Sequence, residues 1–163
     1  MVYYTGLENR SGETHREFES HPLRSVCYTF MMNWEKFRSE IKKLSTKIDP
    51  SPDIIVAIVR GGLVPARLLS TELKVKEMYC LTVKKVGDDR KVVSDILDDV
   101  SGKMILLVED MLETGKSLSV AKKYLEEKGA MVKTACLYTM PTSVIHPDYH
   151  LKEFDEVQKF PWE

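Results

Sequence analysis

Apolar positions show no convincing period through residues 1–30, where GLENRSGETHREFESHP mixes charges. This stretch reads as an N-terminal appendage, with the folded domain spanning 31–163. From Asn33 the pattern turns helical. Trp34, Phe37, Ile41, Leu44 and Ile48 recur at spacings of three and four, which puts them on one buried face. Asn33 suits the N-cap, and DPSP at 49–52 stops the helix. The run DIIVAIV (53–59) is continuously apolar, as in a strand buried on both faces. A Gly pair and a helix over 63–73 follow, with Pro65 in its first turn. EMYCLTV (77–83), KMILLV (103–108) and MVKTACLY (131–138) read as further strands. A helix over 117–128 precedes the last of them, and Gly129 occupies the position that favours a left-handed cap. This order predicts an α/β fold: a central parallel sheet with helices on both faces.

Composition narrows the function classes. The 163 residues suit one domain, and 24 basic against 25 acidic side chains leave a net charge of −1. That balance gives no electrostatic reason to expect nucleic acid or a membrane surface as partner. No apolar run approaches the roughly 18 residues of a membrane span, and MVYYTGLENRSG lacks the features of a signal peptide. Cys27, Cys80 and Cys136 are too dispersed for a disulfide framework or zinc knuckle. A cytoplasmic protein is expected.

Ligands of such sheets bind at the carboxyl ends of the strands, and there the string VEDMLETGKSL (108–118) stands out. A strand ends on two carboxylates, Glu109 and Asp110; Glu113 precedes Thr114-Gly115-Lys116-Ser117, and a helix begins. Gly115 lets backbone N–H groups turn inward, and the helix N-terminus adds partial positive charge, so this loop suits a phosphate. The carboxylates would repel that phosphate; they suit sugar hydroxyls or a cation that neutralises a second anionic group. An isolated acidic pair is often only a cap, but the whole string at a strand end points to a site. A nucleotide-binding P-loop is excluded because Asp110 stands where its first Gly must be. A receiver domain is excluded because too little chain follows the acidic pair.

VEDMLETGKSL resembles the phosphoribosyl-diphosphate (PRPP) signature of the type I phosphoribosyltransferases, closest to their hypoxanthine-guanine and xanthine-guanine branch. VRGGLVPARLLSTEL (59–73) and the ending FPWE (160–163) extend the resemblance over roughly 33–163. It implies a single-domain type I phosphoribosyltransferase fold: a twisted parallel sheet flanked by helices, a flexible flap over 84–102 and a small C-terminal hood. It also implies Mg²⁺-dependent transfer of the 5-phosphoribosyl group of PRPP to a nucleobase, most closely a 6-oxopurine, with release of pyrophosphate. Glu109 and Asp110 would hold the ribose hydroxyls, directly or through Mg²⁺. Thr114, Gly115, Lys116, Ser117 and Leu118 would cradle the 5′-phosphate. Arg60 and Gly61, joined by a cis peptide, would face pyrophosphate, with help from Lys84. Glu113 would take or share the proton at the purine N7, although the family more often has Asp there. Family members are commonly homodimers, and the same is implied for this chain.

The acceptor end (139–163) departs from the purine pattern. Met140 stands where a Lys reads the 6-oxo group, and Val157 where an aromatic ring stacks on the base. Gln158 and Glu163 remain as base-contacting positions, Glu163 matching the family's acidic residue. Three readings stay open: a purine enzyme with unusual recognition, a transferase for another base, and a PRPP-sensing regulator without catalysis. His146 and His150 in HPDYH are four apart, but Pro147 interrupts any helix, so a surface loop is expected rather than a metal site. Trp34, by its helical spacing, reads as core, and Trp162 as packing near the site or a terminal anchor.

Overall fold

A computed structural model describes residues 32–163. The appendage over 1–30 and Cys27 lie outside the described residues. Helix α1 (Trp34–Ser45) starts where expected: the Asn33 side chain accepts the Lys36 N–H at 2.8 Å. It ends at Thr46, earlier than the apolar spacing predicts, yet Ile48 beyond the helix is still buried. Strand β1 (Ile54–Val59) alternates its contacts between two cores. Ile55 and Ala57 join Phe37, Ile41 and Leu44 of α1 with Ala66 and Leu69 of α2 (Leu63–Glu72). Ile54, Val56 and Ile58 face the other way, toward Leu118, Ala121 and Leu125 of a later helix. A strand buried on both faces has no polar side to show, which explains the unbroken apolar run. Pro65 is buried in the first turn of α2, where its missing N–H costs no helical hydrogen bond.

Strand β2 (Glu77–Val86) is longer than its apolar core predicts and turns at Gly87 into β3 (Asp89–Val92). Strand β4 (Met104–Val108) leads to the short β5 (Met111–Leu112), then α3 (Lys116–Glu127), β6 (Met131–Ala135), β7 (Tyr138–Thr139) and β8 (Lys152–Glu153). The main sheet runs β3-β2-β1-β4-β6, parallel except for the antiparallel β3 edge. α1 and α2 cover one face and α3 the other, as expected. Gly129 adopts φ +85° beyond α3, also as expected.

Two segments differ from the sequence reading. The run 131–138 is not one strand. The Ala135 carbonyl accepts the Glu109 N–H, and the Leu137 N–H then donates to the Asp110 carbonyl, which turns β7 into a second sheet ordered β5-β7-β8. That small sheet is the C-terminal hood. The stretch 84–102 is not a free flap throughout. It opens with the β2–β3 hairpin, and its second half is anchored by Ile96 and Val100, both buried in the α3-side core. The Lys128 ammonium pairs with Asp95 at 2.8 Å and donates to the Ile96 carbonyl at 2.9 Å, fixing the segment to the end of α3. Trp34 is also not core: it is 49% exposed, edge-on to Phe37 and 6.2 Å from the Trp162 ring.

Candidate active site

The strand order reverses between β1 and β4: the crossover from β1 leads outward to β2, and that from β4 leads the opposite way to β6. The loops leaving such neighbours splay apart and open a crevice at their carboxyl ends. Arg60 and Gly61 follow β1 there, and Glu109 and Asp110 follow β4. The two loops touch. A Cβ on Gly61 would lie 2.4 Å from an Asp110 carboxylate oxygen, and one on Gly62 would lie 2.2 Å from the Val108 carbonyl. Position 61 therefore has room for a backbone and nothing more. The cis peptide of this loop joins Val59 to Arg60, one bond earlier than expected.

Asp110 is oriented by the Met111 N–H, which donates to its Oδ1 at 2.7 Å. Burial pushes the Glu109 carboxyl up to about 8; the neighbouring Asp110 adds to this, while Arg90 opposes it. Burial likewise lifts Asp110 to about 6 against the Met111 amide, with Glu163 and Glu113 contributing. These are hard oxygen donors crowded together, and a positive group beside them would relieve the crowding.

The phosphate loop is shaped by Gly115, the N-cap of α3, at φ +67°. It is buttressed from the 142–145 turn. The Thr142 hydroxyl donates to the Glu113 carbonyl at 2.7 Å, and the Val144 N–H to the Thr114 carbonyl at 3.0 Å. A Cβ at position 115 would meet the Ser143 hydroxyl at 2.4 Å. A cavity of about 270 Å³ opens over this loop, lined by Thr114, Gly115, Ser117, Glu113 and the acidic pair. A neighbouring cavity of about 670 Å³ shares Glu109, Asp110, Ser117 and Arg90 and extends to Arg60, Gly61, Trp162 and Glu163. Together they form one continuous crevice with an amide-rich end and an acidic middle.

Most of the expected residues meet here; some do not. The Leu118 side chain is fully buried in the core, so only its backbone amide faces the loop's chemistry. Lys116 is exposed and lines a separate 330 Å³ hollow beneath the hairpin. Lys84 is exposed on β2 opposite Lys91 and lines neither cavity of the crevice. Met140 packs its side chain against the α1-side core, and its N–H donates to the Leu112 carbonyl at 2.9 Å. Val157 is 52% exposed, and the Gln158 N–H rests on the Met111 sulfur at 3.3 Å; neither residue lines the crevice. Glu163 does line it, with its carboxylate accepting the Phe160 N–H at 3.1 Å. Trp162 is held in the wall by Phe160, stacked at 4.8 Å, and by the edge of Phe37. His146 and His150 sit in a loop, and their neighbour Asp148 is engaged by Lys133 and Thr134.

Arg90 is the residue that sequence reasoning missed. It lay unremarked inside the charged string GDDRKVV, yet the strand period was there to read. Arg90 and Val92 turn inward while Asp89 and Lys91 are exposed.

The phosphoribosyl transferase domain family matches residues 31–163. The chain is 28% identical over 143 residues to a xanthine-guanine phosphoribosyltransferase of Idiomarina loihiensis, covering 82% of this chain and 86% of that one. The fold aligns with a purine phosphoribosyltransferase from Pyrococcus horikoshii at TM-score 0.76 and 32% identity, over 82% of this chain and 92% of the other. It also aligns with a xanthine-guanine-hypoxanthine phosphoribosyltransferase of Helicobacter pylori at TM-score 0.72 and 24% identity, over 82% and 92%.

Proposed function

The chain belongs to the phosphoribosyl transferase domain family, and from that premise we propose that it transfers the 5-phosphoribosyl group of PRPP to a purine base, releasing pyrophosphate. The observation that carries this reading is the pairing of two loops at the switch point: the Arg60-Gly61 backbone pressed against Asp110, beside a phosphate loop opened by Gly115. Purine as the acceptor class is supported by the names of the relatives in Idiomarina loihiensis and Pyrococcus horikoshii.

The mechanism follows from what each end of the crevice holds. First-turn amides of α3 and the hydroxyls of Thr114 and Ser117 hold the 5′-phosphate, where the helix end favours negative charge. Glu109 and Asp110 accept hydrogen bonds from the ribose hydroxyls, which fixes the face that C1′ presents. Glu109 and Asp110, as hard oxygen donors, would hold Mg²⁺, which would supply neutralisation of the charge on pyrophosphate. The Arg60 side chain and the Gly61 backbone receive that pyrophosphate on the other wall. As the C1′–oxygen bond breaks, the sugar gains oxocarbenium character and the base nitrogen attacks. Glu113, exposed at the rim of the smaller cavity, takes the proton that the base loses. Preorganised dipoles and charges supply the remaining help, since they need no reorganisation as charge develops.

A second reading has an observation in its favour. Met140 is committed to the core and Val157 to solvent, so neither contributes the usual base contacts. That favours an altered acceptor or a PRPP-binding regulator. A cytoplasmic homodimer completes the proposal. The deciding experiment is a chromatographic product assay with Mg²⁺ and PRPP against hypoxanthine, guanine, xanthine, adenine, orotate and uracil. A nucleotide formed from a purine supports the transferase. Clear PRPP binding with no product from any base overturns it in favour of the regulator.

A further inference from the structure

Among the described residues, Glu40 is the one charged residue that the fold buries, at only 3% exposure, and the mechanism above makes no use of it. It sits on the core face of α1 with Phe37, Ile41 and Leu44. Its carboxylate accepts the hydroxyl of Tyr138, the fully buried first residue of β7 in the hood. Burial and the Glu40 carboxylate push the Tyr138 phenol up, so it stays protonated and donates. The Lys152 ammonium, 3.9 Å from Glu40 and largely exposed, offers little compensation. Replacing such a buried polar pair by apolar groups is often neutral or stabilising, so stability alone does not account for a carboxylate at position 40.

Tyr138 leads from this bond to the crevice. Its ring stacks on Phe160, 5.8 Å away and 18° from parallel, and makes a T-shaped contact with Phe154 at 4.7 Å. Phe160 stacks in turn on Trp162 at 4.8 Å, and its N–H donates to the Glu163 carboxylate. Trp162 and Glu163 are the residues that the C-terminal end brings to the crevice wall. Phe37, one turn before Glu40 on α1, packs against both Phe160 and Trp162. Helix α1 thus grips this wall twice, once by a ring and once through a hydrogen bond.

We infer that Glu40 and Tyr138 are positioning residues for the acceptor base: the bond between them sets where Phe160 lies, and through it where Trp162 and Glu163 meet the base. Neither residue lines the crevice. A hydroxyl-to-carboxylate bond is short and directional, whereas stacked rings tolerate a range of offsets. Tyr138 reaches the acidic pair only by its backbone N–H, which donates to the Asp110 carbonyl at 3.3 Å. Changes at its phenol oxygen therefore leave the donor loops in place.

The inference rests on the purine-transferase reading, and the test keeps the two apart. Steady-state kinetics with Mg²⁺ and PRPP, against guanine, hypoxanthine, xanthine and adenine, compare the unaltered chain with four variants. Tyr138→Phe keeps the ring and loses the bond. It lowers the melting temperature and raises the base KM by about 3- to 30-fold, within the cost of a displaced wall, while the PRPP KM stays within about twofold. Glu40→Gln keeps an acceptor oxygen for the phenol and recovers most of the base KM. Tyr149→Phe loses a hydroxyl that donates to the Asp49 carbonyl, away from Phe160, and leaves both KM values within about twofold. In the double variant Glu40→Leu with Tyr138→Phe, an apolar pair replaces the polar one. Its melting temperature returns to that of the unaltered chain while the base KM stays raised. A base KM that recovers together with the melting temperature, one that does not change in Tyr138→Phe, or a PRPP KM that rises equally overturns the positioning role and leaves the transferase reading standing. If Tyr138→Phe does not fold, the double variant decides. If the unaltered chain turns over none of the four purines, both readings fall.

Discussion

Gly61 and Asp110 are in such close apposition that a single methyl group cannot be placed between them: the Cβ of any side chain at 61 would lie 2.4 Å from the carboxylate. Its neighbour Gly62 is equally constrained, but by backbone, with the Val108 and Ile58 carbonyls at 2.2 and 2.8 Å. The two glycines should therefore fail differently. In Gly61→Ala the Asp110 side chain swings away and gives up the Met111 amide, so the fold survives while donor affinity falls about 10-fold or more. In Gly62→Ala two strand ends must separate, costing on the order of 1–3 kcal/mol or more, the range of core overpacking. Thermal melts alongside PRPP titrations check the contrast; a Gly61→Ala protein with unchanged affinity would show that Asp110 is not needed where it stands.

Glu113 holds the phosphate loop through its carbonyl, which accepts from Thr142, and not through its carboxylate. Chemistry and architecture are thus separable at this residue. Glu113→Gln should keep PRPP binding within about twofold and lower kcat by about a hundredfold or more, the range for loss of a general base. The measurement is single-turnover product formation at saturating PRPP. An equal fall in binding would assign Glu113 to the donor instead.

Much of this was legible before any coordinates. The apolar run 53–59 announced a doubly buried strand by its unbroken pattern, and VEDMLETGKSL announced the acidic pair and phosphate loop because the strand end, the carboxylates, Gly115 and the helix start that form them are contiguous in the chain. What was not legible depends on distant packing. Trp34 has a core residue's spacing, yet it is the first residue of the helix, half-exposed and in edge contact with Phe37. Ile96 and Val100 are two apolar residues in a charged string, and only the position of α3 tells that they are buried. Leu118 follows the phosphate-loop residues in sequence, but the helix turns its side chain inward. Arg90 needed the hairpin register. Met140 and Val157 departed from the family's pattern, and the fold explains where their side chains go: one into the core, the other into solvent.

With no ring at position 157, the aromatic surface in the crevice wall belongs to Trp162, fixed by Phe160 and Phe37. If the base stacks there, Trp162→Ala should raise the base KM by about 5- to 100-fold, the equivalent of roughly 1–3 kcal/mol of stacking. Trp162→Phe should stay close to the unaltered protein, and the PRPP KM should not move in either variant. Should both KM values rise together, Trp162 would be a support for the wall rather than a base contact.

Far from the crevice, Asp148 offers a test of how the 146–150 loop is held. Burial by itself would raise its carboxyl, but the Lys133 ammonium at 2.8 Å and the N–H and hydroxyl of Thr134 outweigh that and hold it below the ordinary carboxylate range. The sign follows from proton counting. Near and just below pH 4 the unfolded chain binds this proton and the folded chain does not, so stability rises with pH there. The contribution is complete above the unfolded value and is lost as pH falls through the folded one. Asp148 is partly exposed, so screening limits the effect to on the order of 1 kcal/mol. Denaturant unfolding of the unaltered protein and Asp148→Asn should give curves separated by that amount at pH 7 and converging as the pH falls below the ordinary carboxylate range and through the folded value. A constant gap across the range would mean that the asparagine loses shape and hydrogen bonds rather than charge, and that Lys133 contributes nothing to holding the loop.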